Sequence, residues 1–152
     1  MAVLGVCLAL AAASAAPVFV PADRFTLAWT HSIEKVRWEE DYTVRAATEP
    51  GAPPRLHAVA ARVRGSAAGM EPPEGAVLVD GWYVYTPALA HPSELRLTRS
   101  AYTADYELCV KGACRPMAHW LPSDGDITLL AACRAPDGQH QQAPGGPAIL
   151  DR

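Results

Sequence analysis

The stretch Val77-Leu78-Val79-Asp80-Gly81-Trp82-Tyr83-Val84-Tyr85 constrains the fold more than any other in the chain. An Asp-Gly pair between two alternating apolar runs marks a two-residue type I′ hairpin, because both central residues need positive φ. The register follows: Val79 should face Trp82, and Val77 should face Val84. Tyr106 to Cys114 repeats the logic around Lys111-Gly112 and places Cys109 opposite Cys114.

Other short runs obey the same period of two. Phe25, Leu27 and Trp29 alternate with smaller or polar partners, as do Trp38, Tyr42 and Val44, whose opposite side carries Glu39, Asp41 and Thr43. Glu40 falls on the aromatic side and needs a partner there, with Arg37 and Lys35 nearest in sequence. Leu56 to Arg64 reads as a strand with His57, Val59, Ala61 and Val63 on one side, and Ile127 to Cys133 as the last strand. With 14 Pro and 11 Gly punctuating the runs, the chain is read as all-β, one antiparallel β-sandwich or barrel-like domain of about eight strands. Its expected core is Phe25, Leu27, Trp29, Tyr42, Val44, Val77, Val79, Trp82, Val84, Leu95, Leu97, Leu108, Ile127 and Leu129.

Residues 2–13 form an uncharged apolar run followed by Ala13-Ser14-Ala15, the pattern of a secretory leader and its cleavage site. This predicts a signal peptide over residues 1–15, a β domain over 16–133, and a periplasmic or secreted location. Residues 134–152, rich in Pro, Gly and Gln, are expected to be a disordered tail. Without the leader, Cys109, Cys114 and Cys133 remain, and one pair should bridge. Cys109 to Cys114 suits the hairpin, whereas a bridge to Cys133 would close a longer loop and gain more in entropy. The spacing of these cysteines and His119 matches no paired zinc arrangement, so no metal and no cofactor is assigned. A net charge of −3 without a basic block argues against a nucleic-acid partner.

Polar chemistry concentrates between His31 and Tyr42, where His31, Ser32 and Glu34 open a turn before the strand. A second polar stretch, residues 65–75, is interrupted throughout by Gly and Pro. Successive backbone N–H groups from Gly65 to Gly69 could cradle an anion, and long structured loops often bind ligands. Ala67 holds the middle place where a hydrolase elbow would carry serine, which excludes that mechanism. The candidate binding residues are therefore His31, Ser32, Glu34, Gly65, Ser66, Gly69 and Glu71, and no catalytic residue is assigned.

The segments FTLAWTHSIEKVRWEEDY, GSAAGMEPPEGA, DGWYVY and RSAYTADYELC resemble, in order and spacing, the domain of unknown function 1850 family. His31-Ser32-Ile33-Glu34 and Gly65-Ser66-Ala67-Ala68-Gly69 carry most of that resemblance. It implies a small exported protein associated with tripartite (TRAP/TAXI-type) periplasmic solute transporters, with a permease, a solute-receptor subunit or a small organic solute as partner. Three functions compete: an accessory or binding module, a structural or interaction protein with no small ligand, and a metal-dependent or acid–base hydrolase using His31, Glu34 and Glu71.

Overall fold

The computed structural model describes residues 3–30, 35–65, 74–88 and 91–136. Eleven strands fill them: β1 (Leu4–Leu10), β2 (Val18–Pro21), β3 (Arg24–Thr30), β4 (Arg37–Arg45), β5 (Arg55–Arg64), β6 (Val77–Val79), β7 (Trp82–Tyr85), β8 (Glu94–Thr98), β9 (Glu107–Val110), β10 (Ala113–Pro116) and β11 (Ile127–Arg134), with a 3₁₀ turn at Met117–His119. All pairings are antiparallel. One sheet runs β2-β1-β11-β8 and the other β10-β9-β3-β4-β5-β7-β6. The expected all-β sandwich is what forms.

The two sheets share a core in which Val6, Leu8, Leu97 and Leu130 meet Phe25, Leu27, Tyr42, Val44, Leu56 and Leu108. Both hairpins take the expected register, Val79 opposite Trp82 and Cys109 opposite Cys114. Asp80 and Gly81 have φ of 51° and 87°, and Lys111 and Gly112 have 53° and 81°, as type I′ turns require.

The apolar run that reads as a leader is β1 in this structure. Val6 and Leu8 are fully buried, while Gly5, Cys7 and Ala9 face the other way. A leader is recognised by composition, whereas this run also has the alternation a strand needs. Gly5 is a requirement of the pairing with β2: a Cβ there would stand 2.2 Å from the carbonyl oxygen of Val20. Cys7, set aside with the leader, is the partner of Cys133, and Cys109 bridges Cys114. No described cysteine is free.

Three expectations about strand faces are corrected. Val77 and Val79 are 60% and 49% exposed, because β6 is the free edge of the larger sheet. In β11, Thr128 and Leu130 point inward instead of Ile127 and Leu129; Arg99 satisfies the buried Thr128 hydroxyl. A register shift between Asp41 and Tyr42 leaves Val59 as an extra residue in β5, so Leu56, Ala61 and Val63 face the core while His57 turns outward beside Thr43. Of the expected tail, residues 137–152 lie outside the described residues, and Ala135 is tied by its N–H to the Val3 carbonyl.

Candidate functional site

Trp38, the second residue of β4, stands opposite Trp29 on β3 and opposite Val63 on β5. Thr30 pairs with Arg37, and Arg64 with Trp82. Residues 31–36 and 65–76 therefore leave the larger sheet from neighbouring strand ends. The start of β9 is at the same end, since Glu107 pairs with Ala28.

On the inner face at this end, Trp29 stacks on Trp38 with ring centroids 6.1 Å apart and lies 6.0 Å from Tyr106. The Trp38 indole N–H is buried and has no hydrogen-bond partner among the described residues. Two residues further along the same face, Glu40 accepts a hydrogen bond of 2.7 Å from the Tyr42 hydroxyl. Neither Arg37 nor Lys35 serves Glu40, because Arg37 lies on the opposite face. Burial, then the hydrogen bond and charge of Glu40, push the Tyr42 hydroxyl far above its ordinary range. Tyr85 and Tyr106 are raised first by burial and then by the same carboxylate. One carboxylate thus bonds Tyr42 and acts by its charge on Tyr85 and Tyr106, two residues along β4 from the Trp38 donor.

The outer face carries a ladder of ion pairs. Arg37 bonds Glu39 at 2.7 Å and reaches over the small Ala28 to Glu107 at 3.1 Å. Arg62, directly opposite Glu39, bonds it at 2.7 Å and Asp41 at 2.9 Å, and Thr26 donates to Asp41 at 2.6 Å. Burial alone would raise Glu39, but the bonds from Arg37 and Arg62 reverse this and hold it below the usual carboxylate range. Asp41 behaves alike: burial opposes, while Arg62 and Thr26 prevail. Carboxylates so committed to guanidinium groups are poor proton donors and poor metal ligands near neutral pH.

A second anchor braces this end. The Arg99 side chain is only 1% exposed, and its Nε and Nη2 bond both Asp105 oxygens at 2.9 Å while Nη1 donates to Thr128 at 3.1 Å. Asp105 also accepts the backbone N–H groups of Tyr106 and Ala118. The loop before β9 and the 3₁₀ turn are thereby pinned to β11.

Among the described residues, Glu107, Cys109 and Cys114 form a trio within ligand reach of one another. Its two sulfurs are joined in a disulfide, so no thiolate is on offer there. Of the residues singled out by sequence, Gly65 has φ of 64° and donates its N–H to the Gly81 carbonyl, which ties the start of its loop to the β6–β7 turn. His31, Ser32, Glu34, Ser66, Gly69 and Glu71 lie outside the described residues. Sequence patterning missed Trp38, Arg62 and Arg99 as site-building residues. The alternation of Trp38 with Glu40 was a usable signal; the Arg62 pairing was hidden by the bulge.

A family model described as a domain of unknown function, DUF1850, matches residues 25–117. The chain belongs to that family. No curated protein and no solved structure matches it significantly. The DUF1850 match takes in β4 to β10 with most of β3, and both loop roots, while β1, β2 and β11 fall outside it. Most of the smaller sheet of this DUF1850 protein is thus built from segments beyond the matched range, including both ends of the Cys7–Cys133 bridge.

Proposed function

We propose that this DUF1850 protein is an exported accessory binding module of a tripartite (TRAP/TAXI-type) solute transporter. It holds a small organic solute, or a permease or receptor subunit, at the sheet end where residues 31–36 and 65–76 depart. The observation that carries this reading is the position of Trp38 between Trp29 and Val63, which roots both polar loops on adjacent strands. Loops gathered at one end of a rigid antiparallel scaffold are a common binding arrangement, because the scaffold fixes their roots while their residues vary.

The Trp38 N–H, without a partner among the described residues, gives the end a free donor there, and a buried donor left unsatisfied costs roughly 1–3 kcal/mol until something accepts from it. His31, Ser32, Glu34, Gly65, Ser66, Gly69 and Glu71 would supply the remaining contacts. Two disulfides suit a periplasmic or secreted location, since thiols stay reduced in the cytosol.

A thermal-shift screen of the protein against divalent metals and small carboxylates, beside His31→Ala and Glu34→Gln, tests the reading. Binding predicts at least one additive that raises the melting temperature of the wild type and loses that effect in both variants. A purely bracing role predicts lower melting temperatures in the variants and no additive whose effect depends on His31 or Glu34.

A further inference from the structure

At the opposite end of the same sheet, Arg45 and Arg55 close the β4–β5 ladder as a directly opposed pair. Like charges facing each other across a sheet destabilise it unless something neutralises them. Neither arginine is ion-paired with a described carboxylate. Their Nε atoms are occupied, by the Thr43 hydroxyl and by the backbone carbonyl of His91, which leaves both guanidinium ends open. Next to them His57 and His91 stack with ring centroids 3.9 Å apart, and the buried Nδ1 of His91 has no partner among the described residues.

These groups line one cavity of about 440 Å³, whose single acidic residue is Glu49. That volume is within the range of small-molecule sites and larger than a bare inorganic ion needs. A divalent cation fits poorly: two guanidinium groups repel it, and the described trio within ligand reach lies elsewhere, at Glu107, Cys109 and Cys114. An anion, by contrast, would resolve the Arg45–Arg55 repulsion and could accept from the imidazoles.

From this geometry we infer that the cavity is a second, separate site, which takes a small organic anion bearing a carboxylate or phosphate group between Arg45 and Arg55 and against His57 and His91. Charge-assisted bonds from a planar guanidinium to either oxyanion are strong and directional, so both chemistries share the same cradle. In the free protein, partial burial and then the positive charges of His91, Arg45 and Arg55 hold the His57 imidazole below its ordinary value. A bound anion relieves that repulsion, so binding and protonation of His57 reinforce each other.

The test is a titration of the full-length ¹⁵N-labelled protein with succinate and, separately, with inorganic phosphate, at ionic strength matched by sodium chloride. The imidazole signals of His57 and His91 are read in the wild type, Arg45→Gln and Arg96→Gln. The expected result is a saturable shift with at least one anion, a dissociation constant at least about tenfold weaker in Arg45→Gln, and no change in Arg96→Gln on exposed β8. Which anion saturates the site identifies the acidic group. His31→Ala leaves this titration unchanged, which separates it from the loop site. Absence of a saturable shift with either anion, or an unchanged constant in Arg45→Gln, overturns the inference.

Discussion

Trp38 and Val63 stand opposite each other across β4 and β5, and that one pairing makes the ends of β4 and β5, from which the two most polar segments of the chain depart, neighbours. Without it, residues 31–36 and 65–76 would be separate surface features. With it, both depart from adjacent strands beside stacked aromatic rings and a buried indole N–H that has no partner among the described residues.

Replacing Trp38 by Phe keeps an aromatic ring against Trp29 and removes the orphaned donor. The gain from deleting an unsatisfied group offsets the lost volume, so stability should change by less than about 1.5 kcal/mol. An additive found through the thermal-shift screen should bind Trp38→Phe more weakly, as read by isothermal calorimetry. Equal affinity would remove Trp38 from the site.

Deleting residues 1–15 removes β1, with it the fully buried Val6 and Leu8, and leaves Cys133 without its partner. The truncated chain should fail to give a cooperative unfolding transition. Among full-length variants, the Cys7→Ser/Cys133→Ser pair should lose about 5 kcal/mol in urea denaturation and Cys109→Ser/Cys114→Ser about 2, because the bridges span sequence separations of 126 and 5. A stable fragment starting at residue 16 would show that β1 is dispensable.

Arg99→Met leaves Asp105 without its buried counter-charge and should cost about 3–5 kcal/mol, whereas Arg99→Met with Asp105→Asn, which removes the charge but keeps an acceptor for the Tyr106 and Ala118 N–H groups, should cost less than the single change. Urea denaturation of the double-mutant cycle measures the coupling directly. Additive losses would mean that the pair does not act as a unit.

The ion-pair ladder predicts an acid limb. Glu39 and Asp41 titrate lower in the folded protein than in the unfolded chain, so their contribution is complete above the unfolded carboxylate values of about 4. It is lost as pH falls through the lower folded values. Stability followed by denaturant midpoint should therefore decline below about pH 4, and Arg62→Gln should flatten that decline. An unchanged slope in Arg62→Gln would show that the ladder contributes no pH dependence.

Much of this architecture is legible in the sequence, and the exceptions have physical causes. Asp80-Gly81 and Lys111-Gly112 dictate their hairpins because local turn chemistry fixes register with no help from distant residues. β1 is not legible as a strand because an apolar run rich in small residues has the composition of a leader, and its place in the sheet depends on pairing with the distant β11. Val59 carries no mark of a bulge, so His57 is misplaced by one step and the stack it forms with His91 stays hidden. Arg99 and Asp105 are six residues apart with no periodic pattern between them, and their pairing depends on the return of β11 to present Thr128. At the loop end, the sequence names the polar residues, while the strand register supplies their common origin.

The most direct test of the account is a photo-crosslink inside the protein. A benzophenone amino acid replaces Ser32, the protein is irradiated, and the attachment site is mapped by mass spectrometry. Convergence of the two loops predicts attachment within residues 65–71; attachment confined to other regions, with none in residues 65–76, would contradict it.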